Sequence, residues 1–190
     1  MNFDSHAGAV VRVAVELVNV ATPGHSRGRP YAAPTTAALA NALRDAIAST
    51  SRRQHSPPRG AKLTALAELG AQARPVFEQV QRGDLDAASR TVNKLLARYR
   101  PTPYLDHHDG EPWHLHFHGA EDADRSGWGG GVAVALAGVL GSEYADRLGV
   151  CEATACDRVF VDVSRNGTRR YCTTACQNRV KAAAHRARQR

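Results

Sequence analysis

"CDRVFVDVSRNGTRRYCTTACQNR" (Cys156–Arg179) holds three of the chain's four cysteines, and the fourth, Cys151, lies five residues upstream. The first 150 of the 190 residues contain none. The spacing is C-x4-C, a gap of fifteen residues, then C-x3-C. Two close pairs separated by a short insert are how four thiolates grip one ion tetrahedrally. A disulfide would need an oxidising compartment that nothing else in the sequence supports. A redox pair prefers C-x-x-C, which is absent, and iron–sulfur clusters take other spacings. The reading is one structural Zn2+ held by Cys151, Cys156, Cys172 and Cys176. Four thiolates leave no open position on the ion, so it is not catalytic.

The residues between the cysteine pairs alternate as a strand, "VFVDV" (Val159–Val163), and reach Asn166-Gly167, a strong two-residue hairpin signal. "TRRYC" is then expected to return as the second strand. Thr173 or Thr174 can cap the following "ACQNRVKAAAHRARQR", which is rich in helix formers. The expected module is a zinc-bound β-hairpin plus a helix. So few residues bury too little surface to fold unaided, so the metal contributes folding energy directly.

Charge follows the same division. Residues 151–190 carry nine Lys/Arg against three acids, so nearly all of the net charge of +7 lies there. A near-neutral body with a basic C-terminal module points to a polyanionic partner. In the last helix Arg179, Arg186 and Arg190 share one face, and Lys181, His185 and Arg188 form a neighbouring stripe. Such a helix suits the major groove of double-stranded DNA, and Arg165, Arg169 and Arg170 on the hairpin are candidate phosphate clamps. Asn178 is expected to hold the cysteine loop rather than to read a base. The stacking aromatics of single-strand RNA readers are nearly absent from the module.

Upstream, the chain reads as mainly helical. "AVVRVAVELVN" (Ala9–Asn19) fits either a strand or a helical face. "PTTAALANALRDAIAST" is a capped helix carrying Leu39, Leu43 and Ile47, and "SRRQHSPPRG" after it is a loop. A helical stretch starting near Leu63 should continue past Pro75 towards Val80, broken or kinked at the proline. Gly83 and Asp84 should stop it and cap the next, with Leu85, Val92, Leu95, Leu96 and Tyr99 on its core face. "PTPYLDHHDGEP" (Pro101–Pro112) reads as a loop. "WHLHFH" then switches to period two and reads as a strand, and "GWGGGVAVALAGVL" as a glycine-rich turn leading into a short apolar helix. The longest apolar run, Val132–Leu140, is too short to span a bilayer, and the N-terminus lacks the features of a secretory signal. The expectation is a cytoplasmic, nucleoid-associated protein.

The last 40 residues resemble the CGNR zinc finger. The resemblance rests on Phe160, Asp162, Ser164, Arg165, Asn166, the arginine pair Arg169 and Arg170, Cys172, Cys176, Asn178 and Arg179. Gln177 departs from it, standing where the signature has glycine. "AVELVN" and "WHLHFH" are similar to the ABATE domain that usually precedes this finger. The resemblance implies an ABATE-like helical domain over residues 1–148 and the basic finger over 149–190. It further implies a bacterial, stress-responsive transcriptional regulator that binds DNA and is not an enzyme. The helical part is then a sensor or dimerisation domain, with a homodimer and a small-molecule or metal effector as expected partners.

His114, His116 and His118 project from one strand face and define a candidate sensor pocket. With His107, His108, Asp109 or Glu111 they could instead form a second metal site. That opens the alternative of a histidine-site metalloenzyme whose finger serves for assembly or localisation. No nucleophile–base constellation or phosphate-cradling motif accompanies it.

Overall fold

The valine-rich N-terminal stretch is a helix, α1 (His6–Ala21). Its apolar residues are too many for one face: Val11, Val13, Ala14, Leu17 and Val18 are all buried. A helix apolar on nearly every side belongs inside a core, where packing outweighs the weak helix preference of valine. α1 packs against α2 (Thr36–Ala48), α3 (Gly60–Gln81) and α5 (Gly129–Leu140), and α4 (Leu85–Tyr99) packs against α3 and α5. The computed structural model describes residues 6–48, 56–107, 112–120 and 125–189.

Two expectations about the helices need correction. α3 continues through Pro75 to Gln81, so the proline does not end it. Leu69, Ala73, Val76 and Phe77 around it are buried, and their packing holds the helix across the missing hydrogen bond. Leu85 does not join the core of α4 but is 42% exposed, whereas Val92, Leu95 and Tyr99 are buried as expected. The Asp84 carboxylate caps α4 by accepting from the Ala87 amide at 2.9 Å.

Three antiparallel pairs of short strands complete the chain: β1 (Gly24–Ser26) with β2 (Arg29–Tyr31), β3 (Thr102–Asp106) with β4 (His114–His118), and β5 (Leu148–Val150) with β6 (Val159–Val161). β3 lies in the stretch expected to be a loop; Tyr104 and Leu105 alternate there, but three prolines and two histidines mask the period. The "GWGGG" glycines admit close packing at the start of α5. A Cβ on Gly129 would lie 2.2 Å from the Tyr99 ring.

The basic helix, α6 (Thr174–Arg188), is capped by the Thr173 hydroxyl, which accepts from the Cys176 amide. β6 finds its partner upstream rather than downstream: it pairs with β5, and residues 168–172 form no strand. The hairpin and helix of the expected module are both present, with the first two cysteines in the connection between β5 and β6. Leu148, Val159 and Val161 on this hairpin belong to the same core cluster as α1, α3 and α5.

Candidate metal centre and basic surface

The connection between β5 and β6 presents Cys151 and Cys156, and the first turn of α6 presents Cys176 with Cys172 just before it. Their four sulfur atoms lie within 4.8 Å of one another. Cys156 to Cys172 and Cys156 to Cys176 are each 3.7 Å, and Cys172 to Cys176 is 3.8 Å. With zinc–sulfur bonds of about 2.3 Å, the edge of a tetrahedron is about 3.8 Å, so these three sulfurs form one face of a ZnS4 tetrahedron with Cys151 close by as the fourth ligand. All four are free thiols. Burial raises the pKa of Cys151 and Cys172, and neighbouring thiolate charge raises Cys172 further. Burial also acts on Cys176, but hydrogen bonds from Thr173, Cys156, Cys172 and Arg179 prevail and hold it at about 7. A dication resolves this crowding of thiols by replacing their protons, and the residues present fit one structural zinc ion.

Arg179 belongs to this centre. It is half-buried, and its Nε and Nη2 are buried without a hydrogen-bond partner. Its role in lowering the Cys176 pKa puts a cation beside a sulfur, where metal-bound thiolate would accept from those donors. The same guanidinium lies under the β1–β2 turn: a Cβ on Gly28 would stand 2.6 Å from Nη1. Arg179, expected among the DNA-binding residues, is thus half-buried between the metal centre and the β1–β2 turn. Asn178, expected to hold the cysteine loop, is exposed, and its side chain makes no hydrogen bond among the described residues.

The loop after β6 is tied by Asp162, a buried carboxylate. Its oxygens accept from the amides of Ser164 and Arg169, each at 2.8 Å. Burial alone would raise its pKa, but these bonds and the charge of Arg147 hold it below the usual range. Arg169 turns inward, donating to the carbonyls of Tyr171 and Cys172 and to that of Val161 at 3.1 Å, with its guanidinium 5.1 Å from the Phe160 ring. These three bonds tie it to the finger itself, although the residue is exposed. Arg170 pairs with Glu152 and is exposed, as is Arg165.

Lys181, His185, Arg186 and Arg188 are exposed on α6, as is every residue from Lys181 to Gln189. The buried members of α6 lie in its first two turns, at Cys176 with Arg179 and Val180 partly covered. Arg190 lies outside the described residues, as do His108, Asp109 and Glu111.

Joining the finger to the helices is a set of contacts that the sequence did not announce. Asn19 of α1 acts as a strand edge: its Nδ2 donates to the Val159 carbonyl at 3.0 Å and its Oδ1 accepts from the Val159 amide at 2.8 Å. Arg158, only 5% exposed, donates to the carbonyls of Asn19 (2.7 Å) and Thr22 (2.9 Å) and to Asp157 (2.6 Å), with its guanidinium 4.7 Å from the Tyr31 ring. Burial opposes ionisation of Asp157, but Arg158, the His25 amide and Arg74 keep its pKa low. Gln81 of α3 accepts from the Val150 amide at 3.0 Å.

The histidine strand forms as expected, with Tyr104 opposite His116. His114 and His116 bring their Nε2 atoms to 2.8 Å, while His118 stacks on Tyr104 at 4.0 Å and so stands apart from that pair. Among the described residues, the four cysteines are the group of three or more His, Cys, Asp or Glu arranged for a metal ion.

A ZnS4 knuckle, a short hairpin and a capped basic helix, set on a helical domain, define a zinc-finger protein. The ABATE family model, described as "Putative stress-induced transcription regulator", matches residues 11–148, and that of the CGNR zinc finger matches residues 147–189. The chain belongs to the ABATE family and ends in a CGNR zinc finger. A comparison with curated proteins finds no match.

Proposed function

We propose that this chain is a transcriptional regulator that binds double-stranded DNA through its finger, in a stress-responsive manner governed by residues 1–148. One observation carries the reading: from Lys181 to Gln189, α6 is exposed on all sides. A surface helix ordinarily buries one face against a core, and this half of α6 buries none, so both of its basic stripes are open to a partner. No acid occurs between Thr174 and Arg188, while Lys181, Arg186 and Arg188 supply three cations and His185 a titratable fourth. A major groove admits such a helix, and its phosphates favour those side chains. Asn178, exposed on the same helix, has the side chain suited to adenine. Arg165 and Arg170, both exposed, are the candidates for flanking phosphates, Arg170 by exchanging its pairing with Glu152, whereas Arg169 and Arg179 hold the finger together.

In this reading residues 1–148 sense or dimerise and 149–190 bind, although the boundary runs through β5 and the two parts share one core. An effector would reach the finger through the contacts of Asn19, Arg74 and Gln81, and the His114–His116 pair is the candidate place for it. A homodimer would match two half-sites. The proposed setting is the bacterial cytoplasm, on the nucleoid. No helix among the described residues is long and apolar enough to cross a membrane. The metalloenzyme alternative gains nothing from His118, which stacks on Tyr104 instead of joining the other two histidines.

The test is selection of bound fragments from a random duplex library by the zinc-loaded full-length protein. Recovery of a shared short motif is expected. Recovery that tracks only fragment length would contradict sequence-specific regulation.

A further inference from the structure

The stretch "TPGHSRGRPY" (Thr22–Tyr31) drew no reading from its sequence, yet it forms β1 and β2 against the metal centre. Ser26 pairs with Arg29, leaving Arg27-Gly28 as a two-residue turn. Both have positive φ, +53° and +89°, as the tight turn that matches strand twist requires. Gly28 meets this demand readily; Arg27 does not, since left-handed backbone is costly for a residue with a long side chain. The turn is fixed from outside. The Gly28 amide donates to the Ala155 carbonyl at 2.9 Å, the Asp157 amide donates to the His25 carbonyl at 3.1 Å, and the His25 amide returns a bond to Asp157 Oδ2 at 3.1 Å. Ala155 and Asp157 flank the zinc ligand Cys156, so the hairpin is bonded to the metal knuckle itself. Arg179 of α6 closes the other side beneath Gly28.

Arg27 and Arg29 are exposed at the tip of this hairpin, with His25 beside them. None of the three side chains pairs with an acid among the described residues, and no acid occurs from Thr22 to Tyr31. Asp157, which accepts from the His25 amide, is paired with Arg158 and Arg74. The tip thus adds two uncompensated guanidinium groups alongside α6, held to it by the zinc knuckle and by Arg179.

We infer that the β1–β2 hairpin, although it comes from the helical domain, is a second DNA-contacting element, with Arg27 and Arg29 binding the phosphate backbone beside the groove that receives α6. This rests on the proposed DNA binding and names where the helical domain takes part in it. Contacts to phosphate carry no sequence information, so the hairpin's contribution is affinity without sequence preference. It also gives the helical domain a direct hold on the interface. A shift of the Asn19–Thr22 end of α1 would move the hairpin tip.

The experiment compares three zinc-loaded full-length proteins for binding to a fluorescein-labelled random-sequence duplex across a salt series: the unaltered chain, Arg27→Asn/Arg29→Gln, and Lys181→Gln/Arg188→Gln. Asparagine tolerates the left-handed backbone at position 27, so the turn survives the loss of charge. Thermal unfolding and zinc content verify this. The hairpin variant is expected to bind roughly tenfold more weakly, with a slope of log K against log salt shallower by about two. Unchanged affinity and slope in the hairpin variant, with loss in the α6 variant, would overturn the inference and leave the DNA reading intact. No binding by the unaltered chain would overturn both. Tighter binding of a labelled RNA of the same sequence would replace DNA as the partner and overturn the inference as stated.

Discussion

At the residue scale, the side chains that decide how the finger sits belong mostly to the helical domain. Asn19 is 140 positions from Val159 and binds both of its backbone groups. Nothing near Asn19 in the sequence signals a strand to be completed, so this contact was not legible. "AVELVN" was notable for its similarity to a family, not for any chemistry it announced. Substituting Asn19→Ala leaves a buried amide and carbonyl without partners and should lower stability by about 1–3 kcal/mol. Denaturant unfolding of the zinc-loaded protein would measure it, and an unchanged midpoint would contradict the role given to Asn19. Asp157 makes a related prediction about pH. Its pKa is depressed by Arg158, the His25 amide and Arg74 against the effect of burial. A depressed carboxylate stabilises the native state fully above its unfolded value, about pH 4, and loses that contribution as pH falls towards its folded value. The stability gap between the unaltered chain and Asp157→Asn should therefore be constant from about pH 5 to 8 and narrow below about 4. A gap that widened in acid would mean the ion pair is not what holds Asp157.

At the scale of elements, what the sequence encodes locally was legible, and what depends on distant partners was not. The zinc ligands follow from spacing, because a tetrahedral ion dictates which short loops can hold it. The capped start of α6 at Thr173 follows likewise, because a cap needs only its own first turn. The partner of β6 was misread, since Asn166-Gly167 does form a turn, with Gly167 at φ +63°, but Asp162 and Arg169 pin the returning chain as a loop. α6 was legible as a basic helix, but which of its arginines faces outward was not. Arg179 and Arg186 are seven apart and share a face, and that face turns to the metal centre at its first end only. Replacing Lys181, Arg186 and Arg188 by Gln should leave zinc content and unfolding unaltered while weakening duplex binding by roughly 10- to 100-fold at physiological salt. Equal loss of zinc in that variant would show that α6 holds the knuckle rather than DNA.

At the scale of the whole molecule, the finger is not an appendage on a flexible linker. Leu148, Val159 and Val161 lie in one core with Leu17, Leu66, Leu136 and their neighbours, and the zinc knuckle is bonded to both β1–β2 and α1. Composition showed two unlike parts, one near neutral and one basic, and could not show that they pack as one. Removing zinc with a chelator should therefore lower the unfolding temperature of the entire chain in a single transition. A helical domain that melts unchanged while α6 alone is lost would disprove that unity. The shared core also makes the finger's orientation a property of the helical domain, and the proposed regulation through residues 1–148 would act through it. The most direct measurement is duplex binding across a salt series by the zinc-loaded chain and by the same chain ending at Arg179. The intact chain should lose affinity steeply with salt, and the shortened chain should retain its zinc but bind far more weakly with a shallower slope. Equal binding by the two, or a flat salt response of the intact chain, would contradict DNA recognition through α6.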